Sequence, residues 1–273
     1  MSALCFEAIN WSPYFWTADL PGGPPRAERV VEAAAAAGFP WISFDEKLLA
    51  AEQAAGRSIA SLRRRVEQAG LRVLAVHALA LSDDLESTSA AARALAPAAA
   101  ELGAPWVQAG ATSPIGPALY ASTRAAASIV GAAGARLAIE FLPFLPVASI
   151  ADTRALVAET EPGALRAAIV PDTWHFFHGP DDWEALASLS PDEIAYLQFD
   201  DHPPLASDDL LVETTQRRVL PGRGEFDLER FARTFRTNGF DGVVGLEHLS
   251  AADRARPVEA VARELVEAAG RYW

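Results

Sequence analysis

The sequence predicts a single (β/α)8 TIM barrel over residues 1–273, and three observations carry that prediction. Short apolar runs alternate with longer amphipathic stretches eight times along the 273 residues, the pattern of parallel strands joined by helical crossovers. Eight such units exceed the roughly five or six strands usual in an open doubly wound sheet. The Gly-rich dinucleotide fingerprint of such sheets is also missing from the first strand–helix turn. No low-complexity linker divides the chain, so one domain is expected.

The elements follow in order. "LCFEAIN" (4–10) is a short strand candidate, and "RAERVVEAAAAAGF" (26–39) is a helix stopped by Gly38. "WISFDEK" (41–47) is the second strand, followed by the helix "SIASLRRRVEQAG" (58–70) with Ser58 as its N-cap. "LRVLAVHAL" (71–79) leads to an alanine-rich helix ending near Gly103, and "WVQAGAT" (106–112) to a helix around 117–133. "RLAIEFL" (136–142) precedes a helix from about Ser149 to Thr160, and "RAAIVPD" (166–172) a short helix near 181–189. "IAYLQFD" (194–200) opens a long polar connection over 201–224 before the helix "EFDLERFARTFRTNG" (225–239). "GVVGLEHL" (242–249) and a helix over 256–270 close the series.

Composition narrows the function classes. A net charge of −13 repels phosphate backbones, so nucleic acid is not an expected partner. No apolar run reaches the 18 or so residues of a membrane helix, and the N-terminus, with Glu7 and no basic region, does not read as a secretory signal. The one cysteine, Cys5, cannot form an internal disulfide, which suits a reducing cytoplasm. Lys47 is the only lysine among 23 basic residues, a bias that reads as base composition and carries no mechanism. A homo-oligomer is compatible with the sequence, which does not define one.

In barrels of this kind chemistry sits at the C-terminal ends of the strands. Four consecutive strands offer an oxygen donor there: Glu140 in "AIEFLPF", Asp172 in "IVPDTWHFFHGP", Gln198 in "YLQFDD" and Glu247 in "VVGLEHL". Singly, each has a plainer reading: a glutamate turned outward to cap a helix, or Asp172 as an N-cap or turn residue. Together they would crowd three carboxylates, which repel unless a cation lies between them. A divalent metal meets that need, and oxygen donors suit Mn²⁺ or Mg²⁺ first, with Co²⁺ or Zn²⁺ also compatible.

With these motifs in their order, the chain resembles the xylose isomerase-like TIM barrels, which include sugar isomerases and epimerases, inosose dehydratases and hydroxypyruvate isomerase. "PDTWHFFHG" is similar to the Asp-x-x-His-x-x-x-Gly signature on strand six, and "PGRGEFDL" to a Pro-Gly-x-Gly segment before helix seven. The resemblance spans essentially the whole chain. It implies a divalent metal on the positions of Glu140, Asp172, Gln198 and Glu247, with Glu140 and Glu247 also exchanging a proton at a carbon beside a carbonyl. Gln198 stands where many members have histidine, and Arg223 where glutamate is common.

The resemblance further implies that His175 and Arg218, with Arg217 adjacent, meet substrate oxygens. His77 and Lys47 are placed to line the pocket, and Trp11, Trp174 and Phe144 to wall it. His178, His202 and His248 receive no role; alternation turns His248 away if Glu247 points inward. The function expected is isomerisation or epimerisation of a small keto-sugar or hydroxy-keto acid through an enediolate. The alternative is a metal-dependent dehydratase or lyase acting on a keto-inositol or keto-glycoside. A nuclease like endonuclease IV would need a histidine-rich trinuclear zinc site, against five histidines here. A non-catalytic binding barrel is the remaining reading. The absence of an evident phosphate-binding glycine loop favours a non-phosphorylated, carbohydrate-like small molecule.

Overall fold

Strand-length apolar runs with inward and outward alternation become the eight parallel strands of a nearly closed barrel. A computed structural model describes residues 2–17, 20, 23–160 and 165–273. The strands are β1 (Ala3–Glu7), β2 (Trp41–Asp45), β3 (Arg72–Leu81), β4 (Trp106–Ala111), β5 (Arg136–Glu140), β6 (Ala168–Val170), β7 (Leu197–Gln198) and β8 (Val243–Leu246). Their order in the sheet is β6-β5-β4-β3-β2-β1-β8-β7, with every ladder parallel. Parallel bridges Ile169–Ile194 and Asp172–Gln198 bring the two edges together.

The expected crossover helices form as α1 (Ala27–Ala37), α3 (Ile59–Gln68), α4 (Leu85–Leu102), α5 (Pro117–Ala132), α6 (Ile150–Ala158), α8 (Trp183–Ala187), α10 (Leu228–Thr237) and α12 (Val258–Ala269). Gly38 ends α1 at φ 91°, a left-handed conformation that favours glycine, and the Ser58 side chain accepts the Ser61 N–H to start α3. Four further helices were not expected from the sequence: α2 (Glu46–Ala54), α7 (Thr173–His178), α9 (Leu210–Gln216) and α11 (Ala251–Arg254). All begin with a side-chain cap, from Asp45, Asp172, Asp209 and Ser250. The caps of α2 and α7 sit on strand-end residues: "FDEK" reads as continuing strand, whereas the expected sixth strand stops at Asp172 with no helix assigned directly after it.

Two apolar regions hold the barrel. The larger packs the outward strand faces, including Phe6, Ile42, Val107 and Ile139, against helices through residues such as Val30, Leu95 and Phe231. A small inner cluster of Cys5, Leu74, Ala75, Ala138, Val170 and Tyr196 plugs the lower barrel, with Trp41 and Trp106 packed against it. The Arg72 and Arg136 guanidinium carbons lie 3.9 and 4.4 Å from the Trp41 and Trp106 ring centroids, closing the bottom face. Among the described residues no helix is long and apolar enough to cross a membrane.

Candidate active site at the barrel mouth

The two-residue period of a strand carries the inner cluster upward into a polar layer. Two residues beyond the inward Cys5, Trp106, Ala138, Val170 and Tyr196 come Glu7, Gln108, Glu140, Asp172 and Gln198. On β3 a register shift between the Ile42 and Phe44 pairings makes Val76 face outward and turns His77 in beside Asp45. Glu247 follows the inward Val243 by four residues, with Gly245 between them. Glu7, Asp45, His77, Gln108, Glu140, Asp172, Gln198 and Glu247 thus come from eight strands, and all are buried. Sequence reading found five of them. Glu7, Asp45 and Gln108 carry the same parity signal and were not among the expected site residues.

Amide groups orient the carboxylates. The buried Tyr196 hydroxyl donates to Gln108 Oε1 at 2.7 Å, so the Gln108 amide nitrogen must face the other way. That nitrogen donates to Glu140 Oε2 at 2.7 Å and to Gln198 Oε1 at 3.3 Å. Gln198 then donates from Nε2 to Glu247 Oε1 at 2.9 Å. The directed chain runs Tyr196, Gln108, Gln198, Glu247, with Glu140 held on a branch. Burial pushes the Tyr196 hydroxyl well above its ordinary pKa, which keeps it a donor.

A cation already lies among the acids. Arg218, only 1% exposed, points Nη1 at Asp172 Oδ2 (3.0 Å), Asp200 Oδ2 (2.5 Å) and Glu247 Oε2 (3.2 Å). Its Nε and Nη2 donate to the Thr214 carbonyl and hydroxyl at 3.1 and 2.8 Å, so the unexpected helix α9 fixes the guanidinium. Burial alone would raise the Asp172 carboxyl, but Arg218 and His175 outweigh it and hold it below its ordinary value. For Asp200 and Glu247 burial dominates: although Arg218 opposes it, neighbouring carboxylates add to it, and both are pushed well up.

His175 stands at the head of α7. Its backbone N–H donates to Asp172 Oδ1 at 2.9 Å, so Asp172 is a helix cap and a site carboxylate at once. Its ring Nε2 lies 3.2 Å from Glu140 Oε1. Ligand-capable atoms of Glu140, Asp172 and His175 all lie within 4.8 Å of one another. Among the described residues Glu140 Oε1 and His175 Nδ1 are buried without a hydrogen-bond partner, an arrangement that a bound cation would relieve. Two carboxylates and an imidazole are a donor set for a divalent ion. This cluster differs from the expected oxygen tetrad: His175 enters it, while Gln198 turns its amide nitrogen to Glu247, and Glu247 meets Arg218.

A cavity of about 130 Å³ opens above this layer, bordered by His77, Gln108, Glu140, His175, Arg218 and Glu247, with Phe144, Thr214 and Thr215 among the walls. The structure separates the adjacent arginines: Arg218 is inside, whereas Arg217 pairs with Glu213 on α9. Lys47 and Trp11 do not border this cavity. Lys47 is half exposed, 3.1 Å from Glu46. Trp11 is buried, stacks on Phe6 at 5.2 Å, and borders a separate hollow beside Arg254. Trp174 is buried behind His175 at 5.4 Å between centroids. His178 packs on Trp174 and His202; burial first, then His202, lowers it to about 4. His248 bonds Asp253 at 2.6 Å, away from the cavity.

The "PGRG" segment has a backbone role. Asp201 accepts N–H bonds from Gly222, Gly224 and Phe226 at 2.9, 2.8 and 3.2 Å. A Cβ at Gly224 would collide with the Asp201 carboxylate and the His202 backbone. This cradle anchors the connection that carries Arg218.

Fold and site together define a (β/α)8 barrel with a cation-capable acid cluster at its C-terminal mouth. The chain belongs to the xylose isomerase-like TIM barrel family, whose profile matches residues 31–269. No curated protein matches it in sequence. Among solved structures, it is similar to a xylose isomerase-like TIM barrel/4-hydroxyphenylpyruvate dioxygenase fusion protein (TM-score 0.82, 22% identity) over 98% of this chain and 42% of that one. It therefore spans less than half the length of that fusion protein. It is also similar to the IOLI protein solved with a zinc atom (0.79, 18% identity, 99% of each chain). A third is a D-allulose 3-epimerase from Methylomonas sp. in complex with D-allulose (0.71, 14% identity, 100% of this chain and 97% of that one). At these identities the likeness is one of fold.

Proposed function

We propose that the protein is a divalent-metal-dependent isomerase or epimerase of a small keto-sugar or hydroxy-keto acid. The observation that carries this reading is the cluster of Glu140, Asp172 and His175, of which Glu140 and His175 border a cavity that Glu247 also borders. A divalent ion held by Glu140, Asp172 and His175, with Gln198 and Glu247 as further donors, would polarise a substrate carbonyl and acidify the neighbouring C–H.

The chain's own groups supply the rest. Glu140, oriented by Gln108, takes a proton from the carbon beside the carbonyl. Glu247, whose burial favours the acid form, returns one to the enediolate. Arg218 holds a substrate oxygen so that the reacting carbon lies between the two carboxyl groups. Trp174 and Phe144 shield the far wall from water. Membership of the xylose isomerase-like family and the likeness in fold to an epimerase solved with its ketose support the assignment of substrate class.

The test is solvent deuterium exchange into a panel of keto-sugars by the Mn²⁺-loaded protein, followed by NMR. Exchange at the α-carbon is expected, with Glu247→Gln lowering it by at least about 10²-fold, the usual weight of a general acid–base group. Loss of water or release of an aglycone without exchange would replace this reading by the dehydratase or lyase one. No exchange and no effect of Glu247→Gln would remove the enzymatic reading.

A further inference from the structure

The proposed reaction leaves two buried ionisable groups unused on the opposite side of the barrel. Glu7 ends β1 with its side chain 0% exposed, and its Oε2 lies 3.1 Å from His77 Nε2 on β3. His77 borders the cavity, while Glu7 is absent from its lining and so lies behind the ring. The barrel makes room for this carboxylate: a Cβ on the inward Gly245 would collide with Glu7 Oε1. Among the described residues both Glu7 oxygens and His77 Nε2 are buried without a hydrogen-bond partner, and the 3.1 Å approach of carboxylate and ring is the contact the structure supplies in so tight a space.

We propose that Glu7 is a positioning residue for His77, fixing the ring through Nε2 so that Nδ1 presents a hydrogen-bond donor to a substrate oxygen on the side of the cavity opposite Arg218. This rests on the small-molecule reading above and sharpens its substrate class. The ligand carries oxygens at both ends, one gripped at the Arg218 pole and one at the His77 pole, as an open-chain polyhydroxy ketone does.

Imidazole can donate from both nitrogens only when protonated. The groups facing the ring make that state available. Burial by itself would lower the His77 pKa, but Glu7 from β1, Asp45 from β2 and Glu140 from β5 outweigh it and hold the imidazolium up. Asp45 is itself fixed, with the Ser12 hydroxyl donating to its Oδ1 at 2.6 Å.

The experiment is a ¹H–¹⁵N spectrum of protein labelled at its histidine rings, with His77→Asn used to assign the His77 signals. The His77 ring is expected to be doubly protonated at pH 7. In Glu7→Gln its titration midpoint should fall by at least about one pH unit, the scale of a close charge partner, while Glu7→Asp keeps the ring charged. Thermal melting of each variant checks folding, and the Glu7→Asp arm judges the pair should Glu7→Gln not fold. A neutral His77 at pH 7 in the unaltered protein, or a midpoint that ignores Glu7→Gln, overturns the proposal. For any keto-sugar that exchanges, His77→Asn should raise KM at least several-fold with Mn²⁺ affinity unchanged; an unchanged KM rejects the substrate contact. Absence of exchange in the unaltered protein counts against the isomerase reading alone, because the ring spectrum still judges the pair.

Discussion

At the scale of single residues, Arg218 changes the electrostatic picture most. From sequence, three crowded carboxylates called for a metal; in the fold a guanidinium touches Asp172, Asp200 and Glu247 by itself. Removing one partner of a buried ion pair leaves the other uncompensated, at about 3–5 kcal/mol. Arg218→Gln is therefore expected to lose stability of that order in urea titrations at pH 7 without metal, and to regain part of it with Mn²⁺. A variant as stable as the parent without metal would refute the role of internal counter-charge. Asp172 shows why a single residue can satisfy two readings: one carboxylate oxygen caps α7 and the other faces Arg218.

At the scale of elements, the turn from β8 into α11 is tied by charge. The His248 ring bonds Asp253 on α11, which also takes Arg256, and none of the three borders the cavity. The His248 hydrogen bond, against the opposing effect of burial and with help from Arg256, lowers the Asp253 carboxyl to about 2. A folded value below the unfolded 3.8 means that the stabilisation is complete above that pH and is lost as pH falls toward 2. Because Asp253 is only half-buried, solvent screening leaves about 1 kcal/mol of it. Urea midpoints of the parent protein are expected to drop over this window more steeply than those of Asp253→Asn. Equal slopes would show that the triad carries no acid-sensitive stability.

The helices that escaped the sequence reading share one cause. Helices α2, α7, α9 and α11 have four to nine residues, at most about two and a half turns, and two of them, α7 and α9, contain β-branched or aromatic residues that favour other conformations. Their caps and tertiary contacts make them. This matters for the site, since α9 carries Thr214 to Arg218 and α7 carries His175 to Glu140.

At the scale of the whole molecule, a cation that binds only the folded barrel must stabilise it. At 100 times its dissociation constant the gain is about 2.7 kcal/mol. Mn²⁺ or Zn²⁺ should accordingly raise the unfolding temperature in a concentration-dependent way, and Glu140→Gln and His175→Asn should each abolish most of that rise. Calorimetric titration gives the affinities directly. A melting temperature indifferent to every divalent ion would remove the metal from the proposal and leave Arg218 as the cation of the site. The −13 charge makes weak, non-specific cation binding sensitive to salt, so the comparison belongs at about 0.15 M, where unpaired surface charges are screened within about 8 Å.

The sequence by itself determined the barrel, because alternating strand and helix periods are local patterns and eight of them close in only one familiar way. It also determined which strand ends carry Glu140, Asp172, Gln198 and Glu247, since an acid or amide in an apolar run is visible without coordinates. Only the tertiary structure decided how these groups pair. Arg218 reaches Asp172 from 46 positions away and Glu7 on β1 reaches His77 on β3 across β2. Gly245 matters because of a carboxylate from the other end of the chain. Such contacts depend on barrel closure and on the bulge that sets the parity of β3, neither of which leaves a local signature in the sequence.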